Sequence, residues 1–418
     1  MNFAESEKYL LSLGNEVSTM KLGLESMTGL LAALGNPERK YLKVQVAGTN
    51  GKGSVCSFLD SICREAGIRV GTYTSPHLIS ITERIRINGV DISDDEFARF
   101  AGRVRETSEN LLAEGDLTAV PTFFEQITAI ALLAFAEADL KLAILETGLG
   151  GRLDATTAAR AEIAAITRID LDHQEYLGYT IEEIAAEKAA IIRSQSQVVV
   201  GEQPNAVIKI FKGGNATGRD CVFLTDDHGE DGAHSLPVGF PPLGLAGRHQ
   251  MENARIAAAL VEFLRERFEI ADEAVERGLR NARHPGRLEY FGDNRYLFDG
   301  AHNAGGARVL LDYLDETVTR PITMVFGAMA GKDVEEIASI LFSKAETIIL
   351  TQPENSRAMT AAAIAEAVDV GGTPLILTLN VSEALKTADE ITPNEGLILI
   401  TGSLYLVGEA KRILQSKI

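Results

Sequence analysis

Residues 41–74 read YLKVQVAGTNGKGSVCSFLDSICREAGIRVGTYT, and this stretch decides the fold. Its first and last segments, YLKVQVA and IRVGTYT, have the composition of buried strands, and SVCSFLDSICREAG between them has the spacing of an amphipathic helix. The apolar stripe of that helix consists of Val55, Phe58, Leu59, Ile62, Cys63 and Ala66. Gly67 follows at a position where a glycine commonly ends a helix. The stretch therefore predicts a β-α-β unit of a parallel sheet.

Strands and helices continue to alternate over the first two thirds of the chain. Runs that are apolar throughout, as in strands covered on both faces, occur at 141–146, 162–169 and 197–202, and helical patterns occur at about 123–138, 180–193 and 250–267. Residues 203–245 are rich in Gly, Asp and Pro with poor periodicity, and we expect irregular or short antiparallel structure there. The pattern predicts an N-terminal α/β domain over residues 1–284.

A second alternation begins after the stretch at 281–294, which Pro and Gly interrupt. The strand-like runs RYLFDG, PITMVFG, TIILTQ, PLILTL and LILITG alternate with helical patterns at about 303–314, 333–343, 357–369 and 381–390, and a final helix follows. This predicts a smaller, Rossmann-like α/β domain over residues 285–418. In doubly wound domains ligands collect at the carboxyl ends of the strands, so we expect the active site there, in the cleft between the domains.

The composition disfavours several classes of function. The 418 residues carry a formal net charge of −19, and a field of that sign repels nucleic acids and anionic lipid. The chain has no membrane-length apolar run, and its N-terminus lacks the basic and apolar regions of a leader. Cys56 and Cys63 lie too far apart on the predicted helix for a disulfide, and Cys221 is distant in sequence. We therefore expect a cytoplasmic protein without nucleic-acid or membrane partners.

The strongest local motif is Ala47-Gly48-Thr49-Asn50-Gly51-Lys52-Gly53-Ser54, between the first strand and the helix. Its glycines allow backbone N–H groups to approach phosphate oxygens, and the helix N-terminus adds partial positive charge. Lys52 supplies a full charge, and Ser54 supplies a hydroxyl that can bind Mg²⁺. The motif differs from the general P-loop pattern because Gly53 separates Lys52 from Ser54. A plain glycine-rich turn is the alternative, but the strand-helix context favours a phosphate-binding loop.

Acidic and imidazole side chains follow later strands. Glu146 ends the strand KLAILE, and the glycine-rich run 147–155 after it permits close backbone approach to a ligand. Beside a phosphate-binding loop, this position is typical of a Mg²⁺ ligand, whereas alone Glu146 would equally suit an exposed strand end. His173, in IDLDHQEYLG, could reach the same site as a neutral imidazole, although a single histidine is more often structural.

Lys188 falls on the apolar stripe of the predicted helix at 180–193. Burial of an ammonium group is costly unless the group has a partner. Two interpretations stay open. Lys188 extends to a neighbour such as Glu183 or Glu187, or it serves a functional site, where its burial favours chemical modification.

Polar residues also mark the second predicted domain. Asp299 and His302 follow its first strand, at the ligand-binding edge of the sheet. Arg287 lies at the domain boundary, where it could bind phosphate or form a salt bridge. The stretch 247–253 opens a helix, and ordinary capping is its simplest explanation.

The motifs GTNGKGS, TYTSPHL with TERIRING, ILETGLGGRLDAT, LDH, EKAAII, GRHQMENA, HPGRLE and FDGAHN stand in this order across most of the chain. Together they resemble the folylpolyglutamate synthase family of the Mur ligase superfamily, and Gly53 favours folate over muramyl substrates. The resemblance implies a P-loop ATP-binding domain of the Mur ligase type and a smaller C-terminal domain. It also implies an ATP-dependent ligase that joins L-glutamate to dihydropteroate, to reduced folates, or to both, through an acyl phosphate.

The resemblance implies roles for particular residues. Asn50, Gly51, Lys52, Gly53, Ser54, Asn253, Arg287 and Asp299 would bind ATP. The ligands of a pair of Mg²⁺ ions would be Ser54, Ser75, Glu146 and His173. The catalytic residues would be Lys52, Lys188, His173 and His302, with Lys188 at the position of a lysine that becomes a carbamate in this family. The folate or dihydropteroate pocket would contain Leu22, Gly23, Leu24, Thr122, Phe123, Phe124, Glu125, Leu153, Asp154 and Ala155.

Other functions fit parts of the sequence. A monofunctional folylpolyglutamate synthase, or a Mur-type ligase acting on a muramyl peptide, would differ from the ligase described above only in its substrate. An ATP-driven switch or kinase would share the loop alone and would hydrolyse ATP without glutamate. The family resemblance implies small-molecule partners, no redox cofactor and a monomer.

Overall fold

The computed structural model describes residues 1–14, 23–213, 220–224 and 241–416. The chain divides into two compact units. Unit 1 consists of Met1–Asp170, Gln174–Gly244 and Glu252–Ala282, and unit 2 consists of Leu171–His173, Leu245–Met251 and Arg283–Ile418. Each unit has a sheet of its own, so the prediction of a two-domain α/β fold is confirmed.

The sheet of unit 1 has eight strands in the order β4-β3-β2-β5-β1-β6-β7-β8. The strands are β1 Leu42–Ala47, β2 Val70–Tyr73, β3 Ile85–Ile87, β4 Val90–Asp91, β5 Leu142–Glu146, β6 Ile163–Ile166, β7 Gln197–Val200 and β8 Asp220–Phe223. All neighbours are parallel except the pairs that β3 forms with β2 and β4. The central strand β1 lies between β5 and β6, which brings the ends of these three strands together.

Ten helices lie wholly or largely in the described part of unit 1. They are α1 Phe3–Ser12, α2 Glu25–Ala33, α3 Lys52–Glu65, α4 Asp94–Glu114, α5 Phe123–Glu137, α6 Gln174–Leu177, α7 Ile181–Ala189, α8 Asn205–Gly213, α9 His249–Leu264 and α10 Asp272–Asn281. One apolar cluster joins α1, α2, α4 and α5 to the sheet, and another joins α7 and α8 to β6 and β7. Burial of these apolar stripes is the main driving force for folding of the unit.

Helix α3 begins two residues before the predicted start, so Lys52 and Gly53 form part of its first turn. It ends as predicted, because Gly67 adopts a φ of +73°. The amide of Ile68 then bonds to the carbonyl of Cys63 at 2.9 Å, which closes the last turn. At its other end the helix continues directly from the loop 47–51, and its first N–H groups have no partner inside the helix.

The prediction of irregular or antiparallel structure over 203–245 is wrong for residues 205–213 and 220–223, whereas residues 241–245 form no helix or strand. Helix α8 covers Asn205–Gly213, and β8 pairs in parallel with β7. Val207 and Phe211, four residues apart, are fully or almost fully buried against the second cluster. The surrounding Gly and Asp residues hid this short stripe, because they lower the apolar periodicity of the whole window.

Unit 2 has a six-stranded sheet in the order β13-β12-β11-β14-β10-β9, parallel except for β9 against β10. Its strands are β9 Glu289–Phe291, β10 Tyr296–Phe298, β11 Ile322–Phe326, β12 Thr347–Leu350, β13 Leu375–Leu377 and β14 Leu397–Thr401. Its helices are α11 Ala304–Thr317, α12 Val334–Leu341, α13 Ala361–Ala367, α14 Val381–Ile391 and α15 Leu404–Gln415. Helix α13 is shorter than the predicted 357–369, because Thr360 caps it.

The structure also shows the state of the cysteines and the character of the helices. Cys56, Cys63 and Cys221 are all free thiols, as the spacing predicted. None of the helices in the described residues combines the length and apolar composition needed to cross a bilayer.

Candidate active site

The loop between β1 and α3 depends on two glycines with positive φ. Gly48 has a φ of +151°, and a Cβ there would lie 1.8 Å from Oγ1 of Thr167. Gly51 has a φ of +92°, and a Cβ there would lie 2.3 Å from Oδ1 of Asn253. Only glycine fits both the backbone conformation and the space at these positions. The structure thus places the predicted nucleotide residue Asn253 directly against the loop.

Part of the loop's hydrogen-bonding capacity is used within the protein. The amides of Thr49 and Asn50 both donate to the carbonyl oxygen of Arg168, at 2.9 and 3.3 Å. The side-chain amide of Asn50 donates to Oδ2 of Asp170 at 3.1 Å. The N–H groups of the first turn of α3, from Lys52 onward, have no intrahelical acceptor. The C-terminal half of the loop, where the helix begins, therefore presents N–H groups of the kind that bind anions.

Lys52 and Lys188 meet at one carbonyl oxygen. Nζ of Lys52 donates to the carbonyl of Gly48 at 3.0 Å, and Nζ of Lys188 donates to the same oxygen at 2.9 Å. Lys188 is 5% exposed. Of the two glutamates named for it in the sequence, Glu183 caps the start of α7 and Glu187 pairs with Arg152. Lys188 is thus a buried ammonium group in contact with the loop between β1 and α3.

Oxygen ligands for a metal lie beside the same loop. Glu146 is paired in register with Val46, next to the loop, and its Oε2 accepts the backbone N–H of Ser75 at 3.1 Å. Glu146 and Ser54 are 6% and 5% exposed. A buried carboxylate and hydroxyls are hard donors of the kind Mg²⁺ prefers, so this set fits the ion. No group of three or more His, Cys, Asp or Glu side chains with metal-binding geometry occurs among the described residues.

The glycine loop, residues 147–154, is held by Asp154. Oδ2 of Asp154 accepts the amides of Gly148 and Leu149 at 2.9 and 3.0 Å, and Oδ1 accepts the amide of Thr156 at 3.0 Å. Burial raises the pKa of this carboxyl, and the hydrogen bonds from the loop oppose the rise. A Cβ on Gly148 would lie 2.4 Å from the ring of Phe124, so loop and ring are in contact.

The other predicted folate-pocket residues have varied environments. Thr122 and Glu125 form the capping box of α5, Phe123 and Ala155 are buried in the first cluster, and Leu153 is half-buried. Gly23 and Leu24 precede α2, which packs against α5 and against the 3-10 turn Ala155–Ala159. Leu22 lies outside the described residues. The structure thus brings Phe124 and the glycine loop together, and α2 packs against the helix that carries Phe124 and against the turn that follows the loop.

Unit 2 has a polar cluster around Asp172. Its carboxylate binds Nζ of Lys332 at 2.6 Å and Nδ2 of Asn303 at 3.0 Å, and Nε2 of His302 lies 3.8 Å away. Burial acts to raise the pKa of Asp172. That effect is outweighed by Lys332, His302 and His173, so the pKa lies well below its ordinary range. Reasoning from sequence missed Lys332. Its position in a glycine-containing loop after the strand PITMVFG was the available signal.

His302 is held as a neutral ring. Its Nδ1 lies 2.8 Å from the carbonyl oxygen of Gly300, and a carbonyl can only accept, so Nδ1 carries the proton. Burial, followed by the charge of Lys332, lowers its pKa to about 3. His173, also in unit 2, has a φ of +52° and lies with Nε2 3.9 Å from Oδ1 of Asp172.

Asp299 and Arg287 form the edge of this cluster. Asp299 accepts the amides of Leu288 and Ala301 at 3.0 and 2.9 Å, which fixes the turn that carries Arg287. Burial raises the pKa of Asp299, and Arg287 opposes the rise. No carboxylate of the described residues lies within 4.0 Å of the Arg287 guanidinium, so the salt-bridge interpretation finds no support there.

Comparison with known proteins identifies the family. Residues 46–261 match the Mur ligase middle domain, and residues 286–404 match the Mur ligase glutamate ligase domain. A Bacillus subtilis dihydrofolate synthase/folylpolyglutamate synthase is 34% identical over 95% of this chain and 96% of its own length. The chain belongs to the dihydrofolate synthase/folylpolyglutamate synthase family of Mur ligases.

The chain is also similar to a longer protein and to proteins whose structures are known. A probable bifunctional folylpolyglutamate synthase/dihydropteroate synthase of Halobacterium salinarum is 35% identical over 98% of this chain, which spans only 51% of that relative. The structure of E. coli FolC in complex with DHPP and ADP has a TM-score of 0.84 at 30% identity, covering 100% of this chain and 98% of that one. A bifunctional folylpolyglutamate synthase/dihydrofolate synthase from Yersinia pestis, with AMPPNP and Mn ion, has a TM-score of 0.85 at 29% identity and covers 99% and 98%.

Proposed function

We propose that this chain is an ATP-dependent ligase that joins L-glutamate to dihydropteroate, to reduced folates, or to both, through an acyl phosphate. The observation that carries the proposal is the loop at 47–54, with the buried carboxylate of Glu146 beside it, in a chain of this family. The ligands named for the relatives, ADP with DHPP and AMPPNP with Mn ion, support a nucleotide, a pterin-containing substrate and a divalent ion.

Phosphoryl transfer depends mainly on positioning and on charge, and the loop supplies both. The start of α3 binds the phosphates, and Lys52, already inside the loop, stabilises negative charge on the transferred group. Ser54, Ser75 and Glu146 would hold Mg²⁺, which neutralises phosphate charge when bound. His173 is a further proposed ligand, and a second ion remains part of the proposal.

Lys188 is the proposed site of a carbamate. The Nζ atoms of Lys52 and Lys188 share one acceptor, so they lie within about 6 Å of each other, where two positive charges repel. Addition of CO₂ to the neutral amine of Lys188 forms an N–C bond and releases one proton. The product is an anion, which removes the repulsion and still keeps one N–H to donate to the carbonyl of Gly48.

The remaining site residues have proposed roles in binding. Asn253 lies against the loop and would contact the nucleotide, as would Arg287 and Asp299, with His302 as a neutral group near the reacting atoms. Phe124 and the glycine loop would form part of the acceptor pocket, with Leu24 close by. We further propose that the protein acts in the cytoplasm as a monomer.

The deciding experiment measures ADP release with Mg-ATP and L-glutamate, and follows glutamylated product by mass. Dihydropteroate, a reduced folate, or neither is supplied in parallel. We expect ADP and product only when an acceptor is present, because the acceptor carboxylate must attack ATP first.

The acceptor that works then defines the activity. Product with both acceptors supports the bifunctional enzyme, and product with the reduced folate alone supports a monofunctional folylpolyglutamate synthase. ADP release that is independent of acceptor and glutamate would contradict the proposal and favour an ATP-driven switch.

A further inference from the structure

Gln45 is a buried amide in the middle of the central strand β1. It is 1% exposed, in a strand whose other buried residues are mostly apolar. Its Nε2 lies 2.9 Å from Oγ1 of Thr156, 2.9 Å from Oγ1 of Thr157 and 3.2 Å from Oγ1 of Thr147. A polar side chain at such a position is costly unless it is hydrogen-bonded, so these contacts decide what the residue does.

The direction of these hydrogen bonds follows from counting protons. The hydroxyl of Thr156 donates to Oδ1 of Asp154, and the hydroxyl of Thr157 donates to the carbonyl of Gly151 at 2.7 Å. A hydroxyl has a single proton, so both threonines can only accept from Gln45. Position 45 therefore requires a donor, and the NH₂ group of the amide supplies it. Its two protons serve the contacts with Thr156 and Thr157, and the longer contact with Thr147 shares one of them.

The partners of Gln45 are the residues that hold the glycine loop at both ends. Thr147 begins the loop directly after Glu146, and its amide bonds to the carbonyl of Val46 at 2.9 Å. Thr156 orients the Asp154 carboxylate that binds the amides of Gly148 and Leu149. Gln45 thus ties the start of the loop to the turn that follows it.

The same loop contacts two other parts of the candidate site. A Cβ on Gly148 would lie 2.4 Å from the ring of Phe124, and a Cβ on Gly151 would lie 3.0 Å from the carbonyl of Lys188. The amide of Arg152 donates to the carbonyl of Glu187 at 3.1 Å. A shift of the loop therefore moves its contacts with Phe124 and with the helix that carries Lys188.

We propose that Gln45 is a positioning residue for the ligase reaction: its NH₂ group holds the glycine loop in the shape that forms its part of the acceptor pocket. This role rests on the proposed function. Gln45 touches none of the reacting groups and acts through Thr147, Thr156 and Thr157. Residues of this supporting kind commonly change activity about 10- to 100-fold when they are replaced.

The nucleotide loop has supports of its own. Thr167 donates to the carbonyl of Asn50 at 2.7 Å, and Thr49 exchanges hydrogen bonds with the backbone of Asp170. These contacts do not include Gln45. Loss of the Gln45 donor should therefore affect the acceptor and the chemical step, and leave ATP binding unchanged.

The kinetic test compares Gln45→Met, which keeps the length but removes the donor, with Gln45→His, which keeps an N–H at similar reach. For Gln45→Met we expect kcat/KM for the acceptor to fall by about 10- to 100-fold, with KM for ATP within about twofold of wild type. Gln45→His should recover a large part of the loss. Gln45→Glu, an acceptor-only side chain, should be at least as impaired as Gln45→Met.

Thr72→Val is the matched control. Thr72 is buried on β2, which β5 separates from β1, and its hydroxyl bonds to Oδ1 of Asp60 at 2.7 Å. The Thr72→Val variant should have a lower free energy of unfolding but no selective fall in kcat/KM for the acceptor. A rise in KM for ATP as large as the fall in kcat/KM for the acceptor in Gln45→Met, or a matching fall in kcat/KM for the acceptor in Thr72→Val, would overturn the proposal.

Hydrogen exchange of the amides of Gly148 and Leu149 gives a test that needs no turnover. Gln45→Met should exchange them about tenfold faster than wild type, and Gln45→His should not. Faster exchange with unchanged kinetics, or altered kinetics with unchanged exchange, would each contradict the role. If the wild type makes no product from any acceptor, the proposed function fails, and the exchange rates still decide whether Gln45 holds the loop.

Discussion

Replacement of Lys52 can test a role in binding separately from a role in the fold. Within the described residues, its ammonium donates to carbonyl oxygens of its own loop, those of Gly48 and Thr49. We expect Lys52→Ala to reduce ligation by at least about 10³-fold while the fold is retained, since charge on the transferred phosphoryl group is left without this cation. The measurement is product formation by mass, with circular dichroism and thermal unfolding as checks of the fold. Lys40→Ala, an exposed lysine, is the control, and turnover retained in Lys52→Ala would remove the loop lysine from the mechanism.

Lys188 gives a different prediction, because its proposed active form is an anion. Lys188→Ala should lose activity, and short carboxylates such as formate or acetate should restore part of it by occupying the space of the carbamate. The measurement is the rate of product formation against carboxylate concentration. Lys52→Ala should show no such rescue, and the absence of rescue in Lys188→Ala would leave the carbamate unsupported.

The sequence predicted the burial of Lys188 better than its contacts. The apolar stripe of α7 showed that Lys188 would be buried, and the structure places it at 5% exposure. Its partner, the carbonyl of Gly48, lies 140 positions earlier, and periodicity within one helix holds no information about it. The cluster at Asp172 and the threonines around Gln45 were missed for the same reason, since each depends on residues brought together only by the sheet.

Helix α10 packs closely on α3, and this contact explains one glycine. A Cβ on Gly278 would lie 2.4 Å from the Cα of Ile62. We expect Gly278→Ala to lower the free energy of unfolding by about 1–3 kcal/mol, because the helices must separate or shift to admit the methyl group. Chemical denaturation measures the change.

Gly102 in α4 is the matched control for that substitution. Nothing lies within 4 Å of the position of its added Cβ, so Gly102→Ala should stabilise the protein by about 0.5–1 kcal/mol through helix propensity alone. The same Gly→Ala substitution is thus expected to change the free energy of unfolding in opposite directions at the two sites. Stabilisation by Gly278→Ala would contradict the close packing of α10 on α3.

Elements with strong local patterns were predicted well, and those defined by their neighbours were not. The unit β1-α3-β2 followed from its apolar periodicity and from Gly67 at the end of the helix. β8 is a strand because it pairs with β7 at the edge of the sheet, a contact that its own four residues do not specify. The hairpin of β3 and β4 had a readable signal in Asn88-Gly89, both with positive φ, which is typical of a tight type I′ turn.

The stability of the whole protein should decrease as the pH falls below about 6.5. Burial lowers the pKa of His77 and His302 to about 3 and that of His249 to about 4, from an ordinary value of 6.5. Between those values the unfolded chain binds protons that the folded chain excludes, so the free energy of unfolding falls with pH. Each such histidine contributes up to about 1.4 kcal/mol per pH unit in that range.

Urea unfolding at pH values from 7.5 down to 4.5 measures this dependence. His77→Gln should make it less steep, because glutamine does not titrate and its side-chain oxygen can still accept from Nε of Arg84, which lies 2.8 Å from Nδ1 of His77. An unchanged slope in that variant would show that His77 is protonated in the folded protein. A wild-type stability independent of pH would contradict the buried neutral state of all three histidines.

The position of Asp172 in the sequence limits where the chain can be cut to separate the two units. The three residues Leu171–His173 belong to unit 2, although they lie in sequence between segments of unit 1. A protease cut or gene truncation after Ala282 would separate Lys332 and Asn303 from the carboxylate that binds them and leave a half-buried ammonium without its counter-ion. The shortest continuous polypeptide that retains this unit in full begins at residue 171. It would necessarily include the last helices of the other unit, because a fragment trimmed at the end of α10 lacks Asp172.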